Sequence, residues 1–209
     1  MRHVEPPARP HGWQTHVLKK GRDWLNEPGT NHRDADRPKP IWLDYRDEIG
    51  RAFGYICCYT AVYIANGEAD HFISWDEVKS TSRAHLAYQW SNIRYADGWI
   101  NKSKGTARFP DPFEVQDDWF ELHLPSLELR ATGRHPAHLQ GAIDALLQRV
   151  RDDERVMKTR RHYFRQYKQG SRSIECVDED APLLGRALRN CPTELLPADL
   201  ARLQAGKLC

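Results

Sequence analysis

Asp70 and His71 stand side by side in the stretch GEADHFISW, residues 67–75, inside a run that otherwise reads as a strand. Neighbouring side chains on a strand point to opposite faces, so the two cannot do the same job. The natural division gives Asp70 a metal ion and His71 a proton. An imidazole with a pKa near 6.5 is mostly neutral at pH 7 and can take a proton from an attacking water. Asn101, on a short helical stretch further along, offers an amide oxygen to the same ion. Two hard oxygen ligands with open positions suit Mg²⁺ or Mn²⁺, which keep several waters and take phosphate oxygens. A metal beside a base is a plan for hydrolysing a phosphodiester. Asn92 is suited to brace the loop and fix the angle of His71 through backbone hydrogen bonds.

These residues need elements to position them. IWLDYRDEIGRAF, residues 41–53, has Trp42, Tyr45, Ile49 and Phe53 at helical spacing, and Gly54 ends it. CCYTAVYI, residues 57–64, is rich in β-branched and aromatic residues and reads as a strand. Asn66-Gly67 marks a turn, ADHFISW is the next strand, and a polar loop leads to HLAYQWSNIRYA. DGWINKSKG then allows one or two helical turns. FPDPFEV and DWFELHL look extended, with Pro110 and Pro112 confining them to edges or loops. From Pro136 onward the pattern is helical, first over HLQGAIDALLQRV and then over residues 153–169. Weaker helices are expected around 182–189 and 197–205. Residues 1–40, rich in Pro, His and Arg, read as an arm on the surface that includes a short helix, VLKKGRDWLNE.

The order Asp70-His71, Asn92, Asn101 resembles the ββα-metal core of HNH endonucleases in the variant whose last position is Asn, with the nine-residue step from Asn92 to Asn101. The surrounding text, CCYTAVYI, ADHF, LAYQWSNIRYA, NKSKG, DPFEV and DWFEL, is similar to bacterial HNH proteins related to the PtuB-like nuclease partners of Septu-type defence ATPases. The resemblance is strongest over residues 53–122. It implies an α+β fold with a central ββα-metal (His-Me finger) unit over 41–130, an N-terminal arm over 1–40 and a mostly helical extension over 131–209. It also implies His71 as general base, Asp70 and Asn101 as metal ligands, Asn92 as the structural brace and Lys104 as a phosphate contact, with Lys102 a lesser one. Many such proteins carry two Cys-x-x-Cys pairs for zinc. Here the first has shrunk to Cys57-Cys58 and the second site reads DGWIN, so four tetrahedral ligands are missing and no structural zinc is expected. Tyr59, Trp75, Tyr88, Trp90 and Trp99 are expected to hold the hairpin by packing instead.

Composition sets the outer limits. The chain has 209 residues, 40% apolar and 29% charged, enough to bury a core. No apolar run approaches the roughly 20 residues that span a bilayer, and the start MRHVEPPARPHGW has no apolar signal core, so a cytoplasmic protein without a membrane partner is expected. A net charge of +2 rules out a polycation. One stripe is nevertheless basic: Lys158, Arg161, Arg165 and Lys168 fall at i, i+3, i+7 and i+10, beside an aromatic face. That pattern suits a phosphate backbone, and equally a solvated helix face.

The expectation is a metal-dependent endonuclease acting on nucleic acid, DNA rather than RNA, as the effector of an antiviral defence system with an ATPase or other subunit as partner. The rival is a catalytically inactive HNH-derived module that binds nucleic acid or protein.

Overall fold

The computed structural model describes residues 1–191; the helix expected around 197–205 lies outside them. The fold is mixed α+β, with an N-terminal helical region, two small antiparallel two-stranded sheets and a mostly helical C-terminal region. A π-helical turn, Gln14–Leu18, runs into helix α1, Lys19–Leu25, and a 3-10 turn, Ile41–Tyr45, into α2, Arg46–Ala52. Strand β1 is Glu68–His71, followed by the short helix α3, Trp75–Val78. After two 3-10 turns, Ala84–Tyr88 and Trp90–Asn92, come strand β2, Ile93–Ala96, and helix α4, Gly98–Lys104. A second hairpin, β3 (Phe120–His123) and β4 (Glu128–Ala131), leads to α5 (Gln140–Val150), α6 (Glu154–Lys168), α7 (Ile174–Asp180) and α8 (Pro182–Arg189).

Four elements depart from the sequence reading. FPDPFEV, expected to be extended, forms a turn at 112–114, with Glu114 N donating to Asp111 O at 2.9 Å and Val115 N to the same oxygen at 3.0 Å. The run 57–64 is not a strand. It folds back on itself, with Cys57 N donating to Val62 O at 3.0 Å, Ala61 N to Cys57 O at 2.9 Å, and Ala61 at φ 52°. Its β-branched and aromatic residues reflect burial rather than pairing: Cys57, Cys58 and Tyr59 have no exposed surface. The strand expected over ADHFISW is cut short at His71, because Ser74 caps α3 by accepting from Glu77 N. The arm does not simply lie on the surface, since Met1 and Val4 are buried. Val4 N donates to Pro112 O at 2.9 Å, and the Trp90 indole donates to Pro7 O at 2.8 Å.

The apolar residues form two clusters. One gathers Met1, Cys57, Tyr59, Ala96 and Ile100 with the second hairpin and the C-terminal helices. The other gathers Trp13, Val17, Ile49, Phe53, Cys58, Trp75, Tyr88, Ile93 and Tyr95. The hairpin β1–β2 lies between them, and its two faces therefore meet different surroundings.

Candidate functional site

The register of the first hairpin sets the site. Glu68 lies opposite Ala96, Ala69 opposite Tyr95, Asp70 opposite Arg94 and His71 opposite Ile93. Glu68 and Asp70 thus share a face with Arg94 and Ala96, while Ala69 and His71 share the other with Ile93 and Tyr95. Helix α4 packs on β1 and meets the first of these faces. The strands approach closely at Gly67: a Cβ there would fall 2.4 Å from the Tyr95 ring, and the Tyr95 hydroxyl accepts from Gly67 N at 2.8 Å.

His71 is half-buried. Its Nε2 lies 2.8 Å from Ala87 O. A carbonyl only accepts, so Nε2 carries the proton and Nδ1 the lone pair. The Trp42 ring stands edge-on to the imidazole, with centroids 4.6 Å apart. Burial is the main cause that lowers the His71 pKa below its ordinary value of 6.5, and the Lys104 ammonium adds to it. The Ala87 carbonyl and the Asp70 charge act the other way. The ring therefore stays neutral at pH 7, the state a general base requires.

Asn92 takes the bracing position expected of it. Its Oδ1 accepts from Ile73 N at 2.8 Å, and its Nδ2 donates to Ile73 O at 3.0 Å and Leu86 O at 3.1 Å. It ties the end of the Asp70-His71 segment to the 3-10 turn that supplies the Ala87 carbonyl.

Asp70 is 3% exposed, and both its oxygens are engaged. Oδ1 accepts from Lys104 Nζ at 3.0 Å, and Oδ2 accepts from the Tyr59 hydroxyl. The same Lys104 ammonium donates to His71 O at 2.9 Å and Phe72 O at 3.3 Å. Lys104 is itself 2% exposed, so its role in this arrangement is that of an internal cation rather than the expected phosphate contact. Burial and the Asp70 charge push the Tyr59 hydroxyl well above its usual pKa, which keeps it a donor.

Asn101 meets Glu68 rather than Asp70: its Nδ2 donates to Glu68 Oε2 at 2.9 Å. Glu68 reaches this position over a glycine, since a Cβ at Gly98 would lie 2.8 Å from its Oε1. Among the described residues no group of three or more His, Cys, Asp or Glu is placed to hold a metal ion. The donor set at Asp70 does not fit a divalent ion as arranged, because an ammonium already balances the carboxylate and would repel a second cation at that distance. The oxygens nearer solvent belong to Glu68 and Asn101.

The remaining candidates separate. Lys102 is exposed at the groove beside α4. On α6, Lys158 and Arg165 are exposed, Arg161 pairs with Glu154, and Lys168 is half-buried. Three features of the site were not foreseen from the sequence. Tyr59 was expected only to pack, yet it donates to the buried carboxylate. Glu68, like Asp76, reads from the sequence as a solvated loop charge in preference to a carboxylate supporting the site, and its alternation with Asp70 is the one signal that both face α4. Arg94, 1% exposed, holds both oxygens of Asp111 through Nη2 at 2.7 Å and lies 3.5 Å over the Phe113 ring.

Compared with protein-family models, curated proteins and solved structures, the chain matches none. No helix among the described residues is long and apolar enough to cross a membrane.

Proposed function

We propose that the chain is an endonuclease of the HNH, ββα-metal type that hydrolyses phosphodiester bonds in nucleic acid, with DNA as the favoured substrate. The observation that supports this most is the seating of His71. Its proton is committed to Ala87 O, its lone pair is on Nδ1, and Asn92 ties together the two segments that hold it. In this reading Nδ1 takes the proton of a water that attacks phosphorus. Trp42 limits the ring's rotation, and burial keeps the ring neutral. An Mg²⁺ or Mn²⁺ requirement belongs to the proposal and is tested with it. As arranged, Asp70 is closed to the ion by Lys104 and Tyr59.

That closure is the specific observation in favour of the second reading, a catalytically inactive module that only binds. Supercoiled plasmid incubated with Mg²⁺, with Mn²⁺ and with EDTA separates the two. Metal-dependent nicking that disappears in His71→Ala supports the endonuclease, whereas retention of the plasmid without cutting in either metal supports the module. The defence role and an ATPase partner follow from the HNH resemblance, and co-purification from the native host tests them.

A further inference from the structure

We propose that the groove holding His71 is a cradle for a nucleic-acid backbone whose second wall comes from outside the hairpin and α4. Arg37 and Arg46 form that wall, and Lys102 lies on the α4 side. The proposal rests on the endonuclease reading for its substrate class.

The groove has a volume of about 870 Å³ and is lined by Arg37, Trp42, Arg46, His71, Asn101 and Lys102 among others. Two of its four carboxylates are paired with lysines: Asp70 with Lys104, and Asp76 with Lys79 at 2.7 Å. Glu68 accepts from the neutral Asn101 amide and keeps its charge, and Asp36 enters no ion pair among the described residues, so three lining cations face two uncompensated carboxylates. Arg37, Arg46 and Lys102 are exposed and enter no ion pair or side-chain hydrogen bond among the described residues. Some exposed arginines elsewhere are paired, such as Arg51 with Asp47, Arg108 with Glu77 and Arg155 with Asp153. Arg22, Arg33, Arg83, Arg151 and Arg165 are exposed without an ion pair among the described residues, so it is the shared concavity beside His71 that sets Arg37, Arg46 and Lys102 apart. Positive groups left unpaired along one concavity focus the field on an anionic ligand.

The wall is also fixed relative to His71. Arg46 is the first residue of α2, which packs on β1. Trp42, one turn earlier, touches the imidazole. The loop bearing Arg37 is anchored two residues away, where Ala35 O accepts from the Trp75 indole at 2.8 Å. Phosphates held by these arginines would lie along the groove that exposes the candidate base. The α6 stripe lacks this relation to His71, and part of its charge is already neutralised by Glu154.

The test uses the full chain carrying His71→Ala, so that binding is measured without cutting. Anisotropy of a short labelled DNA duplex is followed between about 50 and 200 mM salt. Arg37→Gln/Arg46→Gln is expected to weaken binding and lower the salt slope by about 2, close to 0.9 for each phosphate that is no longer neutralised. Lys158→Gln/Arg165→Gln on α6 is expected to leave the slope unchanged. Arg37→Gln alone, in an irregular loop, gives about half the effect and guards against a folding defect at α2. Unchanged affinity and slope in the Arg37/Arg46 variant, or no binding by the parent, overturns the cradle. Cutting by the wild type is scored separately. A nuclease that cuts through His71 but binds normally without the arginines refutes the cradle alone. Loss of binding in the arginine variant of a protein that cuts in no metal refutes the endonuclease alone.

Discussion

In the proposed endonuclease His71 and Asn92 would act as a pair, His71 taking the proton and Asn92 holding the segments that seat it. His71→Ala is expected to lower the cleavage rate at least about 100-fold, measured as initial nicking rate, the usual size of a general-base contribution. Burial lowers the His71 pKa, so the acidic limb of the rate profile should lie below pH 6.5. The sign for stability follows. Above pH 6.5 the imidazole is neutral in both folded and unfolded chains. Below it the unfolded chain takes up the proton first, and stability falls until the folded pKa is passed. Urea midpoints measured across this window should fall more steeply in the wild type than in His71→Gln; parallel curves would mean that the ring does not set the pH dependence. Asn92→Ala leaves the Ile73 and Leu86 groups without their partners and is expected to cost about 1–3 kcal/mol, read from chemical denaturation.

At the scale of the element, the hairpin and α4 meet through Lys104. A carboxylate and an ammonium, each at most 3% exposed, are stable there because each satisfies the other and two carbonyls accept the remaining protons. Lys104→Met leaves Asp70 buried and unpaired and is expected to destabilise by about 3–5 kcal/mol. Adding Asp70→Asn should restore a large part of that loss, so the double-mutant cycle reports strong coupling. Additive losses would mean the two groups do not meet. The spacing of the residues located β1 and α4, while the turn before β1 falls at 65–66 and makes no hairpin of 57–64 and β1. It misjudged residues 57–64, because Val and Tyr favour any half-buried surface and the period of two is too short to separate a strand from a tight buried turn.

For the whole molecule, the hairpin divides two apolar clusters, and adjacent Cys57 and Cys58 fall one in each. Burial pushes the Cys58 thiol pKa far up, so it is inert while folded. In a Cys176→Ser/Cys191→Ser/Cys209→Ser variant, thiol labelling should be absent in native buffer. Both remaining thiols should then label together as denaturant unfolds the chain. Separate labelling rates would show that the clusters open independently. Met1 belongs to the same buried cluster as Leu127, Ile143 and Leu184.

By itself the sequence determined the mixed α+β class, the order strand, strand, short helix around Asp70-His71, a position at Asn92 that bonds backbone groups across the loop, and the helices from residue 140 to 168. Each is local, resting on periodicity, on turn residues or on side chains a few positions from their backbone partners. The tertiary structure alone decided that Lys104 and Tyr59 occupy Asp70, that Asn101 turns to Glu68, and that Arg37 and Arg46 line the groove beside His71. Those outcomes depend on which buried charge finds which counter-charge across long stretches of chain. Burial selects among partners that spacing leaves equivalent.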